Sequence, residues 1–268
     1  RRQRQMCIRD RYRIGDERIA VAGFTNLTRD HLDYHGTMEN YFQAKRRVFT
    51  MCKTAVINID DEYGKRLAQE FSDIAVTYSA EGNADYHAEF IRMNATGCSY
   101  MLVNEREKTA CRVDMNMTGL YNVQNSLCAI AMVTALGFDM TECAKALSDL
   151  DGVDGRMNVV YRGDFTVITD YAHTDDALIK VLSTLKPLTK GRLICVFGAA
   201  GDRDKEKRPM MAKAAEDNAD ILVITSDNPA HENPDEIIRE VMTGISGKKP
   251  CRCITDRREA IALSLIHI

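Results

Sequence analysis

The chain has 268 residues, 45% hydrophobic and 28% charged, which is enough to bury sizeable cores in about two domains and too apolar for disorder. Its formal charge is −3, with five Arg against one Asp gathered in residues 1–11, so the remainder is acidic and broad nucleic-acid binding is excluded. Nine cysteines without a CxxC pair suit core positions in a reducing cytoplasm, and no apolar run reaches the ~20 residues of a membrane helix, so a cytoplasmic protein without a membrane partner is expected.

Both ends, RRQRQMCIRDR (1–11) and SLIHI (264–268), read as foreign, like translated adapter sequence, which leaves 12–263 as a piece of a longer gene. RIAVAGFTN (18–26) is a strand that opens into a loop dense in acids and imidazoles, TNLTRDHLDYHG. A helix is predicted over TMENYFQAKRRVFTMC (37–52), then strand TAVINID, helix DEYGKRLAQEF and strand IAVTYS. From 86 to 117 three short strands, HAEFIRM, SYMLVNE and TACRVDM, are separated by NATG and NEREK turns and predict a β-meander. Two helices, NVQNSLCAIAMVTALGF and MTECAKALSDL, close this half, and GVDGR (152–156) marks a boundary between domains of 12–153 and 154–263.

The second half alternates more regularly. FTVITDY, RLICVFG, DILVITSD and CRCITD are strands; TDDALIKVLSTLKPL, PMMAKAAEDNA opened by Pro209, PDEIIREVMTGI and DRREAIAL are helices. This alternation implies α/β architecture with a parallel, doubly wound, Rossmann-like sheet, whose ligands gather beyond the carboxyl ends of the strands. Three polar loops fall there: Asp170 with His173, GDRDK (201–205) and DNPA (227–230).

Lys45 is the most informative residue of the first half. On the 37–52 helix, positions 38, 41, 42, 45, 48, 49 and 52 form one stripe, and Lys45 sits amid Tyr, Phe and Val while Arg46 and Arg47 point away. Either its aliphatic stem snorkels, or the desolvated amine is chemically usable, for instance by carbamylation with CO2 to give a carboxylate-like metal ligand. Asp30, His31 and Asp33 of DHLDYH supply hard donors suited to Mg2+, and a solvated loop is the competing reading.

TNLTRDHLDYHG…YFQAK, GLYNVQN, DGRM, DYAHTDDAL, FGAAGDRDKEKRP and TSDNPA stand in one order over nearly all of 13–263. This order resembles the Mur ligases, most closely the branch that adds the third residue to UDP-N-acetylmuramoyl-L-alanyl-D-glutamate in peptidoglycan synthesis. The resemblance implies a partial central ATPase domain followed by a Rossmann-like C-terminal domain. It implies that carbamylated Lys45 and His31 are catalytic and hold Mg2+. Asn122, Asn125, Arg156, Asp170 and His173 would bind ATP, Asn125 at the adenine, Arg156 at the phosphates and Asp170 at the ribose; Asn122 also reads as a helix N-cap. Arg203, Asp227, Asn228 and Ala230 would face the incoming amino acid, although GDRDKEKR taken alone is a solvated loop.

The implied partners are UDP-MurNAc-dipeptide and a diamino acid, with the protein acting as a monomer. ATP would convert the D-glutamyl carboxylate to an acyl phosphate, which the amine then attacks. Diaminopimelate-adding members typically carry DNPR, whose Arg grips the extra carboxylate. Ala230 cannot do so, and L-lysine is therefore expected. Ala199 and Ala200 replace a usual Cys-Gly, and Asp175 replaces a usual proline. No GxxxxGK[ST] occurs in the chain, so it is expected not to turn over alone, and a catalytically dead nucleotide- or amino-acid-binding module is the alternative. A zinc hydrolase built on HLDYH has poor ligand spacing, and GDRDKEKRP with DNP disfavours polyglutamate-type synthetases.

Overall fold

A computed structural model describes residues 19–266, except 31, 95, 96 and 151 and the side chain of Asp33. The chain divides into two compact units, residues up to 28 with 35–151, and 29–34 with 152 onwards.

The first unit is built on a six-stranded sheet in simple sequence order, β1 (Ile19–Phe24), β2 (Cys52–Asn58), β3 (Ala75–Ser79), β4 (Tyr86–Asn94), β5 (Gly97–Asn104) and β6 (Thr109–Met115). Strands β1 to β4 run parallel, and β4 to β6 form an antiparallel meander. Ala55, Val56 and Ile57 of β2 are wholly buried, as a strand covered on both faces requires. Val56 packs with Tyr78, Leu102 and Leu127, whereas Ala55 and Ile57 pack with Phe24, Phe42, Phe49 and Leu67. The first set includes residues of α3 (Leu120–Thr134) and α4 (Met140–Ser148); the second includes residues of α1 (Met38–Arg46) and α2 (Glu62–Glu70). Each such side chain contributes about 1.5–3 kcal/mol on full burial, so these two apolar layers dominate the unit's stability.

Helix α1 begins at the cap Thr37, whose hydroxyl accepts from the Asn40 N–H, and ends earlier than expected. Residues 47–50 tighten into a 3-10 turn, and Cys52 starts β2 instead of ending the helix. Arg46 does not point away: it pairs with Glu70 and lies over the Phe71 ring, joining α1 to α2. The acidic-histidine segment holds a single helical turn, Leu32–His35.

The second unit holds a hairpin, β7 (Asn158–Arg162) and β8 (Thr166–Thr169), and a parallel sheet in the order β9 (Ile194–Phe197), β10 (Ile221–Thr225), β11 (Cys251–Ile254). FTVITDY is thus not a strand of the parallel sheet. It pairs antiparallel with NVVYR, an exposed segment whose weak alternation hid a strand. Helices α5 (Asp175–Leu185), α6 (Lys207–Asn218), α7 (Pro234–Met242) and α8 (Arg257–Ile266) cover the sheet. Leu178, Met211, Ala215, Leu222, Ile224, Ile237 and Val241 form one core. Val223 alternates to the other side of β10 and is equally buried, and α8 lies against all three strands. Pro209 is the third residue of α6, which starts at Lys207. Residues 264–266, expected to be a foreign tail, continue α8 and bury Ser264.

Two buried charges tie this unit together. Arg208 has no exposed surface; it grips Glu232 through both terminal nitrogens (2.9 and 2.8 Å), donates to the Ala200 carbonyl (3.2 Å) and reaches Glu240. Glu216 accepts from the Ser246 N–H and hydroxyl and from the Lys248 N–H, which pins the turn after α7 and holds its carboxyl down at about 2.

Arg208→Ala should lower the free energy of unfolding in urea by about 3 kcal/mol, the low end for breaking a buried pair because Glu240 stays wetted, and Arg208→Lys should recover less than half. The folded-state pKa of Glu216 lies below its ordinary value, so its stabilisation is present above about 4.5 and fades as pH falls towards about 2. The stability difference between wild type and Glu216→Gln should shrink across that window in acid titrations followed by circular dichroism.

Candidate active site

In the first unit the carboxyl ends of β1, β2 and β3 form a polar ledge. Asn58 donates to the Thr25 carbonyl (2.7 Å), the Tyr78 hydroxyl to the Phe24 carbonyl (3.1 Å), and the Leu27 N–H to Asp61 (3.1 Å). Asp61 also caps α2, while Asp60 accepts from Ser79, the Ala80 N–H and Gln124 of α3. Together with the buried Leu27, these bonds fix where the chain leaves β1 towards the DHLDYH segment. None of Asn58, Asp60, Asp61 or Gln124 stood out in the sequence, although INIDD directly after an apolar strand was a usable signal.

Lys45 is half-buried on α1, with its ammonium 5.2 Å from the centre of the Tyr41 ring, and Tyr41 in turn stacks on His35 at 4.6 Å. The lysine therefore lies along an aromatic wall with its stem on the apolar stripe. His31 lies outside the described residues. Asn122 is buried and donates to the Thr118 carbonyl (2.8 Å) from inside the first turn of α3. The N-cap is Gly119, at φ 107°, where a side chain would be strained and would strike the Tyr121 ring; the expectation of an Asn122 cap is corrected accordingly. Asn125 is exposed on the same helix.

In the second unit the DGR turn and the DYAH strand end are bound to each other. Asp170 accepts from the Met157 N–H (2.9 Å) and the Ala172 N–H (2.8 Å), and the Arg156 guanidinium lies 4.8 Å over the Tyr171 ring. Met157 is buried at φ 49°, a left-handed conformation that the Asp170 carboxylate holds in place. The Asp170 carboxylate thus has a positioning role independent of any ligand. His173 is half-exposed and turns its Nε2 to Asp30 at 3.7 Å, and the buried Lys207 ammonium approaches the same carboxylate at 3.7 Å. The bond to Asp30 raises the His173 pKa above its ordinary value, outweighing its burial.

Beyond β9 and β10 the two remaining loops are locked in register. The Gly201 N–H donates to the Asn228 carbonyl (2.8 Å), and a methyl group at 201 would overlap the Pro229 carbonyl oxygen, so only glycine permits this approach. The Asp202 N–H donates to Glu232 (2.7 Å), and the Asp202 carboxylate meets His231. Asn228 turns its side chain back to the Ala230 N–H (3.3 Å), and Ala230 sits at φ 49°. Arg203, Asp227, Asn228 and Ala230 are all exposed, and Asp227 faces Arg257 at 3.7 Å. Asp202, Glu232 and Arg208, unmarked in the sequence as determinants, set this geometry.

Clefts of about 700 and 580 Å3 lie elsewhere, one lined by Phe42, Arg46, Arg66 and Glu70 and the other by Thr109, Thr134, Phe138 and Met140. The arginines of the first are neutralised by Glu70 and Glu39, leaving no net attraction for an anion. Among the described residues, no group of three or more His, Cys, Asp and Glu is placed to hold a metal. A Mg2+ that draws most of its oxygens from phosphate and water needs only one or two protein donors, so a carbamate at position 45 with one imidazole is compatible donor chemistry.

Known families match the two halves in the same order along the chain. Residues 8–133 match the Mur ligase middle domain and residues 155–267 the Mur ligase glutamate ligase domain. Over 246 residues, 91% of this chain, it is 42% identical to the UDP-N-acetylmuramoyl-L-alanyl-D-glutamate--2,6-diaminopimelate ligase 1 of Clostridium acetobutylicum, covering 50% of that protein. It is 41% identical over 261 residues to the corresponding diaminopimelate ligase of Aquifex aeolicus, covering 94% of this chain and 52% of that one. A solved structure of a ligase of the same name superposes with a TM-score of 0.62 at 37% identity, over 96% of this chain and 54% of that one. The chain spans about half the length of the curated relatives it matches.

His173 should titrate above its ordinary 6.5 in the folded chain, and Asp30→Asn should return it towards that value, measured by NMR of the imidazole protons. A folded pKa above the unfolded one means that the pair stabilises at low pH, and that this share is lost as pH rises through the folded value.

Proposed function

The chain belongs to the Mur ligase family, with its middle and glutamate ligase domains, and from that footing we propose that the whole protein is an ATP-dependent amide ligase of peptidoglycan synthesis. It joins a diamino acid to UDP-N-acetylmuramoyl-L-alanyl-D-glutamate, as its relatives, named 2,6-diaminopimelate ligases of that substrate, suggest, and acts in the cytoplasm. The observation that carries the reading is the register between the Gly201–Lys205 and Asp227–Ala230 loops, which presents an arginine and an Asp-Asn pair together at the strand ends.

The chemistry follows from what these groups can do. The substrate's D-glutamyl carboxylate attacks the γ-phosphorus of ATP, giving an acyl phosphate and ADP. The amine of the incoming residue then attacks the acyl carbon, and phosphate leaves. Arg156 neutralises phosphate charge, Asn122 and Asn125 bind ATP with Asn125 at the adenine, and Asp170 keeps lone pairs for the ribose beside the two backbone N–H groups it already accepts. His173 serves the nucleotide side of the same loop. Carbamylated Lys45 and His31 would hold Mg2+, which supplies charge neutralisation for the phosphoryl group. Arg203, Asp227 and Asn228 orient the amino acid.

The amino acid added is L-lysine in this reading, although the named relatives are diaminopimelate ligases. Ala230 offers no cation for a second carboxylate, whereas an arginine there would bind one bidentately. The complete gene product, assayed for ATP-dependent ligation, should take lysine in preference to meso-diaminopimelate. Ala230→Arg should shift the ratio towards diaminopimelate by about 10–100-fold, the worth of a charge-assisted bond. A strong diaminopimelate preference of the unaltered enzyme sinks the lysine assignment, and absence of ligation with either substrate favours a binding module. Carbamylation is tested separately: 13C-bicarbonate should give a carbamate carbon resonance that Lys45→Arg abolishes.

A further inference from the structure

Outside the candidate site, two sulfur atoms meet at the end of α7, and a third residue with sulfur shares their side of β11. Cys251, which opens β11, brings its Sγ to 3.8 Å from the Sδ of Met242, the last residue of α7. Cys253 lies on the same side of β11, two residues along. Met242 and Cys251 are half-buried, and Cys253 is exposed, so solvent reaches the group from one side. The connection that brings them together is rigid. Glu216, 3% exposed, fixes both Ser246 and Lys248 in the turn between α7 and β11. Gly244 packs against the Pro209 carbonyl so closely that a methyl group would overlap it.

We propose that Met242, Cys251 and Cys253 form a binding site for one soft monovalent cation, Cu(I) or Ag(I) in chemistry. Thiolate and thioether donors select such ions, and a neutral thioether is a poor partner for Mg2+ or Zn2+. Two sulfurs bound at about 2.3 Å to one metal lie roughly 3.8–4.0 Å apart, which matches the separation already present between Cys251 and Met242. On binding, each S–H bond is replaced by a sulfur–metal bond and its proton leaves to solvent, with no change of oxidation state. Two thiolates and one cation leave the site with a single negative charge. The bound ion would cross-link α7 to β11 and raise the melting temperature.

The test is an anaerobic competition for Cu(I) held by bathocuproine disulfonate, using the whole chain. One equivalent should be withdrawn, and a Cys251→Ser/Cys253→Ser double variant should lose about 100-fold or more in affinity while its circular dichroism is unchanged. Met242→Leu should weaken binding by about 10-fold, and Cys52→Ser, at the half-buried start of β2, should leave it unaltered. X-ray absorption of the loaded chain should report sulfur scatterers only. Undiminished uptake by the double variant, an equal loss in Cys52→Ser, nitrogen or oxygen scatterers, or tighter binding of Zn2+ than of Cu(I) would each overturn the proposal.

Discussion

The second unit is organised around a charge that water cannot reach. Placing a guanidinium in a protein interior costs several kcal/mol unless nearly every donor is matched, and Arg208 meets that demand with two carboxylates and a carbonyl. These partners come from the loop after β9, the loop after β10 and helix α7, so the three must be in place for the charge to be tolerated. Glu232 extends the network by accepting from the Asp202 N–H and from Lys205. Arg203 and the Asp227–Ala230 segment stand at the surface of this network and inherit its rigidity. The residues expected to touch the amino acid are therefore exposed, while the charge at the centre of the network that aims them, Arg208, is buried.

The same division of labour recurs in the first unit by different means. There the aiming groups are neutral or acidic: the buried Asn58 and Tyr78 and the half-buried Asp60 and Asp61 bond the ends of β1, β2 and β3 to one another and to α3. Lys45 belongs to neither class. It is half-buried against an aromatic ring, with its stem on the apolar stripe and its ammonium over Tyr41.

Much of this was legible in the sequence wherever periodicity and burial agree. The parallel strands, the meander and the caps at Thr37, Thr174 and Asn233 sit where apolar runs and capping residues place them. The errors have separate physical causes. NVVYR is exposed and lies beside glycines, so its strand depends on pairing with β8 and not on a buried face. The 37–52 stripe continues through a 3-10 turn into β2 because 3-10 and α spacing keep nearly the same face inward over one turn. Gly119 took the cap from Asn122 through a positive φ that no side-chain pattern announces. GDRDKEKR looked solvated, yet Lys207 and Arg208 are buried, since their carboxylate partners lie 24 or more residues away in sequence. Motif order marked the positions expected to face ligand, and only coordinates showed the buried Lys207 and Arg208.

The six-stranded sheet has a seam. Strands β3 and β4 are joined through only two residue pairs, Tyr78 with Tyr86 and Ser79 with His87, whereas β4 to β6 are paired along most of their length. On one side of the seam every contact is made between neighbours along the chain, through short turns. On the other, each strand must wait for a helical crossover before it finds its partner. Loop closure is cheap for the first and costly for the second. The meander is consequently the part of this unit whose pairing asks least of loop closure, and the parallel half is the part whose pairing asks most.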